Sequence, residues 1–300
     1  MNKTVLEINH LQKTYLKQEQ PALKNLSFTV REDEHLGIIG ANGSGKTTLF
    51  KLLLNLLRPD HGEIRIMGES DLEAARRHLG YVPEHQRGLE NFTPAELLFL
   101  SARMCQLPPE AARKRRDELL EWAQLQKQRD ELVAGFSKGM MQRLQLALAL
   151  VRRPKILLLD EAMSGLDPAG QKKLRELLLT LQNTTLLYGS HNLSDVELFC
   201  RRAIILHQGE IRQDLIFDQM DEEIFTIVAE PAIQGVFEAF PSIRIRETWP
   251  DAERVKIELR VNQATLQEIL AACREKAVRI WRINSRSVLE DLFEKYVKAE

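Results

Sequence analysis

The stretch "GIIGANGSGKTTLFKLL", residues 37–53, constrains this chain more than any other. An apolar run stops at Gly40, and Gly40 to Thr47 then fits G-x-x-x-x-G-K-[ST] before a second apolar run begins. Glycines at such a turn let the backbone point its N–H groups inward and approach an oxyanion without a Cβ in the way. The helix that follows adds positive potential at its N-terminus. Gly40, Asn42, Gly43, Ser44 and Gly45 are therefore expected to wrap a phosphate. Lys46 is expected to bridge the β- and γ-phosphates, Thr47 to hold Mg²⁺ through its hydroxyl, and Thr48 to reach a further phosphate oxygen. A chain built around this turn must supply a buried strand before it and a helix after it, so the fold class is α/β.

The rest of the chain is read for what surrounds that turn. Residues 4–9 alternate as a half-buried strand, "LSFTV" (26–30) and "HLGIIG" (35–40) read as strands, and a helix is expected from about Gly45 to Leu57. "GEIRIMG" (62–68) is a short strand. From Pro83 to Pro154 the pattern turns helical: "TPAE" (93–96) is a capping box, 108–125 is amphipathic, and 137–153 is nearly apolar in its second half. Strands return at 155–160 and 184–190 with a helix between them, the βαβ signature of a parallel sheet. Ser194 to Glu197 reads as another capping box, and "RRAIILHQGEIRQD" as a hairpin turning at Gln208-Gly209. Beyond a boundary near 218–222 the order is strand 224–229, helix 232–240, strands 243–248 and 254–261, helix 264–276, strand 278–283 and helix 287–298. That is the split-βαβ pattern, with Ser287 and Glu290 as a cap.

"KILLLDEAMSGLDP" ends a buried strand in two acids. Asp160 is positioned to hold the Mg²⁺ hydration shell, and Glu161, one residue on, to act as general base toward an attacking water.

"GANGSGKTT", "FSKGMMQRLQLALAL", "ILLLDEAMSGLD" and "GSHNL", in this order and spacing, resemble the nucleotide-binding subunit of an ATP-binding cassette (ABC) transporter over roughly residues 3–218. The resemblance implies a P-loop NTPase: a RecA-like core with a small antiparallel β portion, a helical subdomain inserted near 85–153 and an ATPase domain ending near 220. The α+β, ferredoxin-like domain then covers 221–300. It implies that two cassettes, a homodimer or a pair, meet head to tail and that each ATP is held by the phosphate loop of one chain and by Ser137 and Gly139 of the other. It assigns His191 to the γ-phosphate and the water, Asp167 to the segment linking the two sites, and Tyr15 to adenine. A glutamine is usual where Glu84 stands; the carboxylate remains a hard oxygen ligand for Mg²⁺. "FSKGM" and the C-terminal extension of about 80 residues resemble ATPases that serve ABC-2 type membrane subunits. Function is accordingly expected to be MgATP-driven closure and hydrolysis, with Glu161, His191 and Lys46 catalytic, coupled to export by a separate transmembrane permease. The groove near 85–104, with Leu89, Phe92 and Leu97, is the expected dock for that subunit.

Composition narrows the alternatives. Lys plus Arg number 42 against 43 acids, a net charge of −1, so no global basic field draws nucleic acid, and none is expected as a partner. Three distant cysteines suit a reduced, cytosolic chain, and the resemblance implies a cytoplasmic location, peripheral on the inner face of the membrane through the membrane subunit. The longest apolar runs are too short to cross a bilayer. A soluble cassette ATPase acting on DNA or the ribosome is the first rival, and a regulatory module that hydrolyses ATP weakly, motivated by Glu84, is the second. "RKRR" (113–116) reads as a solvated helix face, with lipid headgroups or a partner as the other reading.

Overall fold

Alternating burial along β1 (Thr4–Lys13) sets the first layer: Leu6, Ile8 and Leu11 face inward, and β1 pairs antiparallel with β2 (Leu23–Arg31) and β4 (His61–Ile66). This computed structural model describes residues 3–16, 19–85, 88–217, 222–241, 243, 245–250 and 254–298, and the chain forms two compact units, Met1–Leu215 and Ile216–Glu300.

The continuous apolar runs form the second layer of the first unit, because strands buried on both faces need no polar side. β3 (His35–Ile39) lies between β7 (Thr185–Ser190) and β8 (Arg202–His207), parallel to both. β6 (Ile156–Asp160) lies between β7 and β5 (Leu79–Val82), again parallel, and β9 (Glu210–Ile216) closes the far edge, giving the order β5-β6-β7-β3-β8-β9. Helix α1 (Lys46–Leu53) sits between the two sheets, with Leu49, Phe50, Leu52 and Leu53 in one core cluster with Ile8, Ile38, Leu158, Leu187 and Ile204. The short α2 (Leu72–Ala75) precedes β5 and is capped by Asp71. Between β5 and β6 the chain is helical: α3 (Pro94–Met104), α4 (Pro109–Trp122) and α5 (Lys138–Ala149). The Thr93–Glu96 capping box opens α3 as expected, and Leu97 packs inward at 7% exposure, which removes it from any docking surface. α6 (Pro168–Leu179) and α7 (Leu193–Phe199) follow β6 and β7.

Several boundaries differ from the sequence reading. α1 stops at Leu53, not Leu57, because Asn55 turns left-handed (φ 54). The Asn55 and Leu56 amides then donate to the carbonyls of Leu52 and Lys51, a Schellman end. α4 ends at Trp122 and α5 at Ala149, each earlier than periodicity suggests. Ser194 is no cap: Asn192 caps α7, its side chain accepting from the Ser194 amide. The run 113–116 is not one solvated face. Arg115 is 15% exposed, and its guanidinium donates to the carbonyls of Leu150 (2.6 Å) and Val151 (3.2 Å) at the end of α5.

The second unit is an antiparallel sheet of β10 (Glu223–Ala229), β11 (Ile245–Pro250), β12 (Val255–Val261) and β13 (Ile280–Arg286) in the order β11-β12-β10-β13. α8 (Gln234–Phe237) is a single turn where a nine-residue helix was expected, and α9 (Gln263–Glu275) is full length. Both helices supply one core with Phe225, Ile227, Ile257 and Leu259. α10 (Val288–Phe293), capped by Ser287, ends the unit and runs on into a π-helical turn to Lys298.

Candidate functional site

The phosphate turn leaves β3, and Asp160 and His191 leave the ends of β6 and β7, so three adjacent strand ends converge on one edge of the sheet. That edge is where open parallel sheets bind ligands. Gly40 is forced by crowding: a Cβ there would strike the Ser44 hydroxyl and the Leu206 carbonyl. Gly45, the residue before α1, is left-handed at φ 113 and offers no side-chain cap. The first amides of α1 thus keep their donors for a ligand. The β8–β9 hairpin braces the turn, since the Gly209 amide donates to the Ser44 carbonyl (3.0 Å) and the Lys24 amide to the Gly209 carbonyl (2.7 Å).

Lys46 is 6% exposed and folds onto its own loop, donating to the carbonyls of Gly40 (2.6 Å) and Ala41 (3.3 Å). Its Nζ lies 3.3 Å from Glu161 Oε1. The Thr47 hydroxyl donates to Asp160 Oδ2 at 2.8 Å, while Asp160 Oδ1 is buried without a hydrogen-bond partner. Burial pushes the Asp160 carboxyl above its ordinary range against the opposing Thr47 hydrogen bond. The Tyr81 hydroxyl donates to Asp160 Oδ2 at 3.5 Å, and burial raises its pKa too, so it stays a donor. Glu161 is 7% exposed and holds a left-handed backbone (φ 51), fixed by its amide donating to the Gly189 carbonyl (2.9 Å). A glutamate held there stores strain of roughly 1 kcal/mol or more, typical of functional positions. Its Oε2 accepts from His191 Nδ1 at 2.8 Å. Behind His191, the buried Tyr188 donates to Asp195 Oδ2 (3.3 Å), tying α7 to β7.

These groups line or adjoin an open cleft of about 1030 Å³. Tyr15, Asn42, Gly43, Ser44, Gly45, Lys46, Thr47, Thr48, Glu84 and Glu161 all border it. The Tyr15 hydroxyl lies 3.2 Å from Thr48 Oγ1. Among the described residues no group of three His, Cys, Asp or Glu can hold a metal alone. Thr47 Oγ1, the orphaned Asp160 Oδ1 and the Glu84 carboxylate are hard oxygen donors of the kind Mg²⁺ takes.

Three of the sequence-expected residues lie elsewhere. Ser137 caps α5, accepting from the Met140 amide (3.3 Å), and Asp167 caps α6, accepting from Gly170 (2.9 Å). With Gly139 they border a second cleft of about 400 Å³ that shares no lining residue with the first. Sequence reasoning missed Tyr81, whose signal is its place three residues before Glu84 on a strand beside β6. It also missed the contact of Gly209 with the phosphate turn, although the turn itself was legible.

Comparison with known proteins agrees with this geometry. Residues 23–164 match the ABC transporter family model. Over 98% of its length the chain is 32% identical to the whole of YxlF, an ABC transporter ATP-binding protein of Bacillus subtilis. It is 34% identical to the Nod factor export ATP-binding protein I of Burkholderia thailandensis, over 86% of this chain and 84% of that one. Among solved structures it resembles the ATP-binding cassette MJ0796, a dimer in a post-hydrolysis state bound to ADP and Pi. That likeness has a TM-score of 0.64 at 27% identity and covers 71% of this chain and 98% of the other.

Proposed function

The chain belongs to the ABC transporter ATP-binding proteins, and from that premise we propose how its two clefts work and what they serve. It is the ATP-binding and hydrolysing subunit of a transporter, built on the P-loop NTPase fold with mixed α/β sheets. The finer reading is that ATP binds with Mg²⁺ between two copies arranged head to tail. One observation carries it: the phosphate turn and the Ser137 helix end border separate clefts with no common lining residue, which supports a second chain supplying the Ser137 end.

In this reading Lys46 and the α1 amides grip the β- and γ-phosphates, and Gly40, Asn42, Gly43, Ser44 and Gly45 shape the turn around them. Thr48 reaches a further phosphate oxygen, and Tyr15 lies against the adenine. Thr47, Asp160 and Glu84 would hold Mg²⁺, which would supply positive charge against the phosphates. Glu161 takes the proton of the attacking water, and His191 Nδ1–H fixes which carboxylate oxygen is free to do so. Ser137 and Gly139 of a second copy close over the γ-phosphate, and Asp167 links the paired sites.

Residues 1–220 are the ATPase domain, with 85–153 its helical subdomain, and 221–300 an accessory domain. The β11-β12-β10-β13 order with helices after β10 and β12 supports a ferredoxin-like reading of the latter. No helix among the described residues is long and apolar enough to cross a membrane. Membership of the transporter family supports a cytoplasmic subunit served by a separate permease, which docks near Leu89 and Phe92. An export relative and the ABC-2-like "FSKGM" segment support export.

Sedimentation tests the sandwich. The Glu161→Gln chain is expected to dimerise with MgATP and to dissociate with ADP. Adding Ser137→Arg, remote from the phosphate cleft, is expected to abolish the dimer while leaving ATP bound. A Ser137→Arg chain that still dimerises refutes it.

A further inference from the structure

At the opposite end of the parallel sheet, where β5 and β6 begin, lies a third cleft of about 750 Å³. It shares no lining residue with either cleft above. Its walls carry Arg77, Lys114, Arg115, Arg152, Arg153 and Lys155, against one lining carboxylate, Glu118. In a chain whose net charge is −1, this clustering is not a consequence of general basicity.

Pairing sorts these cations. Arg77 is neutralised by Glu69 at 2.6 Å. Glu118 is shared between Arg115 (3.1 Å) and Arg153 (3.3 Å). Among the described residues Lys114, Arg152 and Lys155 have no carboxylate partner. Arg152 is nonetheless oriented: its Nε lies 2.9 Å from Cys105 Sγ. A thiol sulfur is a weak, neutral acceptor and leaves the charge uncompensated. With Nε engaged, both terminal nitrogens of the fork stay available, the geometry that matches two oxygens of one phosphate. The wall behind is fixed, because Arg115 is bolted to the end of α5 through the Leu150 and Val151 carbonyls. No Phe, Tyr or Trp lines the cleft, and its one imidazole, His78, is engaged by Glu69 at 3.4 Å.

We propose that this cleft binds a multiply charged phosphate or phosphate-ester anion through Lys114, Arg152 and Lys155, apart from the nucleotide site. Two sources share that chemistry, the headgroup of an anionic phospholipid and a free oligophosphate. The first source, though not the site, rests on the reading of this chain as a membrane-associated subunit.

The test uses the full chain with its phosphate turn filled by saturating MgADP. Two probes are measured: vesicles of cardiolipin, whose headgroup carries two phosphates, in phosphatidylcholine beside pure phosphatidylcholine, and inorganic tripolyphosphate by calorimetry. Binding to the anionic vesicles alone identifies a headgroup site, and binding to tripolyphosphate a site for soluble anions. In either case the triple variant Lys114→Gln/Arg152→Gln/Lys155→Gln is expected to bind about 100-fold more weakly, at roughly five-fold per cation. It is also expected to keep wild-type MgATP turnover, which shows that it folds. Arg152→Lys, which keeps the charge but loses the fork, is expected to lose affinity several-fold. The proposal is overturned if neither probe binds, or if the triple variant binds both as the wild type does.

Discussion

Replacing Glu161 by glutamine separates chemistry from binding. The substitution keeps shape and volume and removes one charge from a site 7% exposed. At 3.3 Å from Lys46 Nζ the lost attraction is about 5 kcal/mol at an effective dielectric of 20. Keeping a carboxylate away from water costs several kcal/mol in return. The two terms nearly cancel, and Lys46 retains its carbonyl partners Gly40 and Ala41, so unfolding free energy should shift by less than about 1.5 kcal/mol. ATP affinity should hold or rise, because the ammonium no longer divides itself between a phosphate and a carboxylate. Turnover should fall by roughly 10²–10⁴, the usual worth of a positioned general base. Phosphate release at saturating MgATP, equilibrium ATP binding and urea unfolding read the three quantities separately. Turnover within about threefold of wild type removes Glu161 from the chemistry. A parallel loss of affinity makes it a binding or structural group instead.

Three further outcomes follow from the geometry. Gly45→Ala places a Cβ at φ 113 and against the Ala22 carbonyl, so it should cost at least about 1–2 kcal/mol in urea unfolding and weaken ATP binding. Arg115→Met keeps the aliphatic stem but leaves the α5 carbonyls unpaired; urea unfolding should fall by about 2–4 kcal/mol, and a loss below 0.5 kcal/mol contradicts the bolt described. For Asp160 the folded pKa lies above the unfolded one, so the folded chain holds the proton longer and stability falls as pH rises between the two. Without nucleotide or metal, Asp160→Asn should therefore be more stable than wild type at neutral pH, and the two should converge as pH drops through the carboxylate range; a gap independent of pH refutes this.

The parts legible in the sequence are those where one residue type has one physical reason to be present. Glycines at Gly40 and Gly45 mark crowding and a left-handed backbone, and Thr93 with Glu96 marks a helix start. Helix ends were less legible because their left-handed terminators are Asn55, Gln106 and Gln124, none of them the glycine that usually signals a stop. Ser194 lost the cap to Asn192 because two adjacent segments offered capping side chains and only the backbone decides between them. "RKRR" carries no mark that its third member turns inward; burial of Arg115 depends on carbonyls over thirty residues away. Tyr81 was hidden for a similar reason, since its hydroxyl matters only once β5 lies beside β6.

The same distances bear on why binding and hydrolysis are tied together. Glu161 is divided between two partners, Lys46 at one oxygen and His191 at the other. In the reading proposed, a carboxylate oxygen engaged by an ammonium at 3.3 Å is not free to accept from a water. A triphosphate in the turn competes for that ammonium with more negative charge than one carboxylate carries. As Lys46 turns to the phosphate in that reading, Glu161 Oε1 is released to face a water, while His191 still fixes its orientation. The group that grips the substrate thus holds the base quiet beforehand. A lysine at this position therefore does more than add charge, and an arginine, whose fork satisfies carboxylate and phosphate together, would not make the same exchange.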